Sequence, residues 1–300
     1  MATFVIPTRP ETIAQTRPPC VARVDGWRIN VPDERWLIDR VIQDVGDGRG
    51  GTVFTINLDH LAKLRHDTDF RAAYERATYI SADGMPVVAL ARAEGAPIER
   101  VTGADLVEPL CRAAADAAIP IHFFGTSDTV LARAVEALRE RIPGLVVAGV
   151  EAPPMGFDPH GDAARDAARR IAASGAKICF VALGAPKQEF FASTATCEVD
   201  GVVWLGVGAA LDFIAGHRRR APRIMQRTGL EWLWRVAQEP RRMLPRYVRS
   251  ALWLAGYLLR LLIGHAHHDG GAPVEVNVAL RKEPAERALP IHATTREIRR

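Results

Sequence analysis

The feature that most constrains the fold is a regular alternation between short apolar runs and longer helical stretches from Thr52 onwards. Six runs, TVFTIN, ATYIS, IHFFG, LVVAGV, KICFVALG and GVVWLGVG, are rich in β-branched or other apolar residues. Such runs are typical of buried strands, and the Ala-, Arg- and Leu-rich stretches between them have the composition of helices. Because a helix separates each strand from the next, the sequence predicts a parallel sheet with helices on both faces.

This pattern assigns the chain to the α/β class, with a Rossmann-like sheet. In such sheets ligands bind at the carboxyl ends of the strands, so functional residues are expected there. Two elements are predicted before the alternation starts. VARVDGWRINV (residues 21–31) has the pattern of a hairpin that turns at Asp25 and Gly26, and a helix is expected from about Asp33 to Val45.

Changes in composition divide the chain into four segments. Residues 1–19 and 265–300 are polar and punctuated by proline, which predicts disordered tails. The α/β domain is assigned to residues 20–230, where the alternation ends. Residues 231–264 are rich in arginine, tryptophan and leucine, and they are assigned to a basic, amphipathic, helical C-terminal appendage.

Positive charge is concentrated in and just before this appendage. Eleven arginines lie between Arg218 and Arg260, against only two acids, Glu231 and Glu239. The chain up to Asp212 is close to balanced or acidic, so the net charge of +4 understates this local field. The field predicts an anionic partner, either phosphate groups or lipid headgroups.

The cysteines and apolar segments bear on where the protein works. Its four cysteines are scattered and form no CxxC pair, which is typical of reduced thiols in a cytosolic protein. The N-terminal residues lack the apolar core of a signal peptide. The longest apolar run, residues 251–263, is shorter than the roughly 20 residues needed to span a bilayer. We therefore expect a cytosolic protein.

Polar side chains follow two of the predicted strands. Thr55 and Asn57 lie two residues apart, so on a strand they face the same side and can both hydrogen-bond a ligand. A core threonine and a helix cap would explain the same pair. Asp83 follows the next strand and precedes a glycine, which suits a general base approached by a substrate, although a turn aspartate has the same signature.

Further candidates lie on turns between strands and helices. Arg100 precedes a glycine turn and can pair with a phosphate or with a nearby carboxylate. In FVALGAPKQEFF, Gly184 and Gln188 lie on the turn into a helix, where an amide side chain is unusual. FFGTSD (residues 123–128) predicts a helix cap with backbone N–H groups available to an anion.

The last predicted strand ends in a GxG turn that contains Gly208. Leu211 stands where a dinucleotide fingerprint needs Gly or Ala, so the match is weak, but Asp212 can still hold a ribose or a base edge.

Two patterns that resemble metal sites have simpler interpretations. DTD (67–69) precedes a helix and is typical of a cap, and HAHH (265–268) lies at the edge of the tail.

Several motifs occur in a specific order along the chain. They are TINLD, ADGMP, RVTGADL, FFGTSD, LGAPKQE, GVGAALDF and GHRRRAPRIMQRTGLEWLWRVAQEPRRMLPRY. In this order they resemble the motifs of the WecG/TagA/CpsF glycosyltransferase family, from about Val21 to Tyr247. The resemblance implies an inverting, metal-independent enzyme of cell-surface polysaccharide assembly that needs no cofactor. It would move a sugar from a UDP-sugar to a sugar on polyprenyl diphosphate.

The resemblance also implies roles for individual residues. Asp83 matches the proposed catalytic base of the family. The predicted substrate-binding residues are Thr55, Asn57, Arg100, Gly184, Gln188, Gly208 and Asp212. The basic C-terminal segment matches the membrane-binding appendage of the family. Its predicted contacts with lipid or diphosphate are Arg235, Arg241, Arg242, Arg246, Arg249 and Trp253.

The implied partners are a UDP-sugar, a polyprenyl-diphosphate-linked sugar and an anionic membrane surface, with no nucleic acid. N-acetylmannosamine, its uronic acid and glucose are the donor sugars of relatives. The implied location is the inner face of a bacterial plasma membrane, and homo-oligomer formation stays open. Three alternatives remain: a nicotinamide-dependent oxidoreductase, a nucleic-acid-binding protein and a non-catalytic scaffold of the same fold.

The final helix of the appendage is expected to begin at Pro245. At 100° per residue, its three arginines fall within about a 60° wedge, and two aromatics lie on or beside that side. These residues are Arg246, Arg249, Arg260, Trp253 and Tyr257. Leucines fill most of the remaining surface. The pattern favours a helix that lies in a bilayer interface, and a terminal helix packed on the core is the alternative.

Overall fold

In this computed structural model, the described residues are 18–222, 224–225 and 230–265. The predicted tails, residues 1–19 and 265–300, lie almost wholly outside them, as does most of the HAHH pattern. The central element is a six-stranded sheet in which all strands run parallel, in the order β4-β3-β8-β7-β5-β6. Its strands are β3 (Gly51–Ile56), β4 (Tyr79–Ala82), β5 (Ile121–Gly125), β6 (Val147–Glu151), β7 (Ile178–Ala182) and β8 (Val203–Gly206).

The hairpin predicted at the start of the domain is also present. Its strands are β1 (Ala22–Val24) and β2 (Trp27–Ile29), which pair antiparallel. Asp25 and Gly26 have φ angles of 51° and 80°, and two successive positive values are typical of a two-residue type I′ hairpin turn.

Helices connect the strands and continue beyond the last one. They are α1 (Glu34–Gly46), α2 (Leu58–Leu64), α3 (Thr68–Arg76), α4 (Met85–Ala93), α5 (Gly103–Asp116), α6 (Asp128–Arg141), α7 (Asp162–Ala173), α8 (Lys187–Glu198), α9 (Ala210–Ile214), α10 (Glu231–Gln238) and α11 (Pro240–His265). Side-chain caps begin several of them, and Asp67, the first residue of DTD, accepts a hydrogen bond from the backbone N–H of Phe70 in this way.

The sheet separates two apolar cores because successive strand residues point to opposite faces. Phe54 and Trp204 belong to the core under α2, α3, α7 and α8. Their neighbours Val53 and Leu205 belong to the core under α1, α5 and α6. The chain is thus an α/β protein with a Rossmann-like sheet covered on both faces.

The terminal helix differs from its prediction in where it begins and in which side faces the protein. It begins at Pro240 and not at Pro245, which lies inside the helix. Both prolines fit the preference of proline for the first helical position, and it is Pro240 that occupies this position. Trp253 is only 6% exposed and Tyr257 only 7%, because both pack against the core beside α2.

The aromatic side of α11 therefore faces the protein, and the guanidinium of Arg65 lies 4.9 Å from the Trp253 ring centroid. Trp253 was predicted to contact lipid, and this burial corrects that assignment. The helical wheel groups residues by side, but it does not show which side meets a neighbour. The exposed apolar residues of α11 are Leu244, Val248, Leu252, Leu258, Leu259, Leu262 and Ile263. Among the helices described, none is long and apolar enough to cross a membrane.

Candidate functional site

A cavity of about 520 Å³ opens at the carboxyl ends of β3, β4 and β8, between the sheet and the two C-terminal helices. Most of the predicted site residues line it: Thr55, Asn57, Asp83, Arg100, Gly184, Gln188, Gly208, Arg235, Arg242 and Arg246. Four other predicted residues are not among those that line it: Asp212, Arg241, Arg249 and Trp253. Folding thus brings together side chains that are nearly 200 positions apart in the sequence.

Asp83 immediately follows β4 and lies on the cavity wall. Its backbone N–H donates to the carbonyl of Ile56 at 2.8 Å, which extends the pairing of β3 with β4 by one residue. Its Oδ2 lies 3.4 Å from Nδ2 of Asn57. Burial raises the pKa of Asp83, the charge of Arg235 and the contact with Asn57 lower it, and the net direction is upward. A carboxylate with a raised pKa is a stronger base than one in water.

Asn57 has two roles at the end of β3. Its Oδ1 accepts a hydrogen bond from the backbone N–H of His60 at 3.0 Å and so caps α2, while its Nδ2 faces Asp83.

The carbonyl of Thr55 accepts a hydrogen bond from the hydroxyl of Tyr74 at 2.6 Å and lies 2.8 Å from Nδ1 of His60. Burial lowers the pKa of His60 to about 3, so its ring is neutral. Sequence reasoning missed both residues: His60, which lines the cavity, and Tyr74, which does not.

Gln188 holds the GVG turn and does not point freely into the cavity. Its Oε1 accepts the backbone N–H of Gly208 at 2.9 Å, and its Nε2 donates to the Glu189 carboxyl at 2.9 Å. The amide orientation is unambiguous, because a backbone N–H can only donate. Glu189 is fully buried, and burial raises its pKa to about 7 against the opposing hydrogen bond from Gln188.

Arg100 is paired with a carboxylate, one of the two partners that its motif suggested. It lies 2.9 Å from Asp105, which also contacts Arg220 at 2.6 Å and accepts the Thr102 hydroxyl at 2.8 Å. Burial by itself raises the pKa of Asp105, but the two guanidinium groups hold it below its ordinary value. This carboxylate therefore fixes two cations, of which Arg100 lines the cavity and Arg220 does not.

The arginines between Arg218 and Arg260 are mostly paired with acids. The pairs are Arg218 with Glu239, Arg220 with Asp105, Arg235 with Glu231, Arg242 with Glu239, Arg246 with Asp59, and Arg260 with Asp25. Arg223 and Arg227 lie outside the described residues. Three of the acids come from the body of the protein, so the local positive field is weaker than the sequence predicted. A count of charges along the chain cannot include partners that only folding supplies.

The cavity also contains residues that sequence reasoning did not single out. Asp59 lies in the TINLD motif, and Glu231 pairs with Arg235 one helical turn away. Trp232 and Tyr247, from the two C-terminal helices, meet at the cavity with their ring centroids 5.8 Å apart. The i,i+4 spacing of Glu231 and Arg235 was a usable signal, whereas nothing local marks the aromatic pair.

The described part of the chain contains no cluster of three or more His, Cys, Asp or Glu side chains that could hold a metal ion.

A protein-family model described as "Glycosyl transferase WecG/TagA/CpsF family" matches residues 22–267. The match includes every residue that lines the cavity.

Proposed function

The chain belongs to the WecG/TagA/CpsF glycosyltransferase family, whose members serve cell-surface polysaccharides, and we propose that it transfers a sugar from a UDP-sugar to a sugar on polyprenyl diphosphate. The proposed donor carries N-acetylmannosamine, its uronic acid or glucose. The observation that carries this proposal is the placement of the Asp83 carboxylate, whose pKa is raised, directly after β4 on the wall of a cavity that is also lined by arginines.

Asp83 would act as the general base. A sugar hydroxyl is a poor nucleophile near neutral pH, and a base hydrogen-bonded to it contributes about 10²–10⁴-fold in rate. The acceptor oxygen attacks C1 of the donor sugar while its proton passes to Asp83. The bond from C1 to the UDP oxygen breaks, and the anomeric centre inverts in one step. Asn57 would keep the carboxylate oriented towards the acceptor.

The leaving diphosphate gains negative charge as this bond breaks. Arg235, Arg242 and Arg246 line the cavity from the C-terminal helices, and Arg100 lines it from the body. Guanidinium groups suit this task, because their planar donors match phosphate oxygens and their charge does not depend on pH in the working range. Cations that are already in position before the reaction stabilise the developing charge. The proposed mechanism uses no metal ion.

Two features oppose a dinucleotide-dependent oxidoreductase. The N–H of Gly208, which a pyrophosphate cradle would need, already donates to Gln188. The helix after this turn, α9, has only five residues, so it supplies little of the dipole that such a cradle uses.

The exposed face of α11 supports docking on a membrane surface. Leu252 is 70% exposed and Leu262 is 71% exposed, on a helix whose opposite side packs on the body. Arg241 and Arg249 are exposed as well. An exposed leucine face flanked by arginines suits the interface of an anionic bilayer better than a nucleic acid. We propose that this face docks the enzyme on the inner leaflet and brings the lipid-linked diphosphate to the cavity.

The test replaces Asp83 with Asn, which keeps the shape and removes the basicity. We expect UDP release with a polyprenyl-diphosphate-linked acceptor to fall about 100-fold or more, with UDP affinity little changed. Asp67→Asn is a matched control, since Asp67 caps α3 and does not line the cavity. A folded Asp83→Asn protein that turns over at nearly the wild-type rate would refute the assignment.

A further inference from the structure

Asp59 is a buried carboxylate on the cavity wall to which the transfer chemistry assigns no role. It lies near the start of α2, and its side chain is 5% exposed. Its Oδ2 contacts Nζ of Lys63 at 2.6 Å, one turn further along α2, and Nε of Arg246 at 3.0 Å, from α11. One carboxylate therefore meets two cations, one from the body and one from the terminal helix.

These two cations lie in different places. Arg246 lines the cavity beside Asp59, whereas Lys63 is not among its lining residues. Burial by itself raises the pKa of Asp59, but the charges of Arg246 and Lys63 hold it below its ordinary value, so the carboxylate is ionised at neutral pH. Because Lys63 stays paired with it, Arg246 can share its charge with a bound anion without leaving a buried carboxylate uncompensated.

We infer that Asp59 is a positioning residue that holds the guanidinium of Arg246 at the cavity wall, ready to bind a diphosphate. Nε of Arg246 lies 3.0 Å from Asp59 in an ion pair but makes no hydrogen bond among the described residues, so charge attraction holds the guanidinium group in place. The terminal nitrogens of this group are suited to donate to phosphate oxygens. A side chain that is already fixed loses less conformational freedom when it binds. The inference rests on the proposed function, since glycosyl transfer is what brings a diphosphate into the cavity.

The same helix carries a matched control further towards its C-terminal end. Arg260 lies 3.6 Å from Asp25, and Asp25 also takes two contacts of 3.1 Å from Arg65. Asp25 thus resembles Asp59 in meeting one cation from the body and one from α11. None of these three residues lines the cavity. Asp25→Asn therefore loosens the attachment of the helix without touching Arg246.

The first experiment measures UDP binding by calorimetry and the KM for the polyprenyl-diphosphate-linked acceptor. In Asp59→Asn we expect a loss of about tenfold in one of them, whereas Asp25→Asn stays within about twofold of wild type. Weaker UDP binding would show that Arg246 meets the donor diphosphate. A raised acceptor KM alone would show that it meets the lipid diphosphate. Equal effects of the two substitutions would overturn the inference, because Asp59 would then act only as a helix attachment.

The second experiment asks whether Asp59 acts through Arg246. Arg246→Lys keeps the charge but removes the planar guanidinium donors, and we expect it to lose about as much diphosphate affinity as Asp59→Asn. The double variant should lose little more than either single variant, and additive losses would overturn the inference. If Asp59→Asn does not fold, Arg246→Lys decides alone: wild-type affinity would overturn the inference, and a tenfold loss would support it.

Wild-type turnover separates this inference from the proposed function. A wild-type protein that neither binds UDP nor releases it from UDP-sugars would refute the proposed function and remove the basis of the inference. A wild-type protein that transfers sugar, together with a fully competent Asp59→Asn variant, would overturn only the role given to Asp59.

Discussion

Glu189 allows a measurement of how strongly the protein interior next to Gln188 opposes a charge. Its carboxyl group is completely buried on α8, where Oε1 accepts a hydrogen bond from Gln188. Its Oε2 has no hydrogen-bond partner among the described residues. Burial raises its pKa to about 7, from an ordinary value of 4.5, against the hydrogen bond from Gln188, which lowers it.

The folded protein therefore keeps this proton to higher pH than the unfolded chain does. Between pH 4.5 and about 7 the folded state binds more protons, so the free energy of unfolding falls as the pH rises. At about 1.4 kcal/mol per pKa unit, the loss approaches about 3 kcal/mol above pH 7 and is about 1 kcal/mol at pH 5. Glu189→Gln keeps the shape and an acceptor for Gln188 but cannot ionise.

We expect the stability gained by Glu189→Gln to be about 2–3 kcal/mol larger at pH 8 than at pH 5. Urea unfolding followed by tryptophan fluorescence at both pH values measures this difference, and comparison with wild type at each pH removes the contribution of other groups. Glu140→Gln, at an exposed position on α6, is the control and should show no such difference. The reasoning is refuted if the gain of Glu189→Gln is the same at both pH values.

Three further predictions concern acid stability, membrane binding and metal dependence. Burial lowers the pKa of His122 to about 4, so the unfolded chain binds this proton more readily, and the free energy of unfolding falls as the pH drops from 6.5 towards 4. His122→Phe should reduce this loss of stability by up to about 3 kcal/mol, measured by urea unfolding at pH 4 and pH 7. Leu252→Asp with Leu262→Asp should weaken binding to anionic vesicles about tenfold or more in flotation assays, whereas Val150→Asp, exposed on β6, should not; equal vesicle binding by all three proteins would contradict the proposed docking face. EDTA should leave UDP release largely intact, and activity that disappears with EDTA and returns with Mg²⁺ or Mn²⁺ would contradict metal-independent transfer.

The sheet was predictable because its signal is local. Each of the six strands appears as an apolar run, and parallel strands buried on both faces need nothing more than such runs separated by helices. The hairpin turn at Asp25 and Gly26 and the cap at Asp67 were predictable for the same reason, since a few neighbouring residues decide each of them. Asp83 could be placed near the site because residues that follow parallel strands meet at one edge of the sheet.

Pairing between distant segments was not predictable. The partner of Gln188 in the GVG turn and the partner of Arg246 on α2 depend on which elements become neighbours. The positive field of the C-terminal segment was overestimated for the same reason, because Asp25, Asp59 and Asp105 approach it only in the folded chain.

The terminal helix separates the two kinds of information most clearly. By itself the sequence determined that α11 has an aromatic and arginine-bearing side and a leucine side, because a helical repeat assigns each residue to a side. Only the tertiary structure decided that Trp253 and Tyr257 turn inward and that most of the leucines face solvent, whereas Leu254 and Leu261 pack partly against the core. The physical reason is that α2 and the N-terminal hairpin supply acidic partners for Arg246 and Arg260 and apolar surface for the two rings. These contacts join residues about 200 positions apart, so the periodicity of a local stretch of sequence does not reveal them.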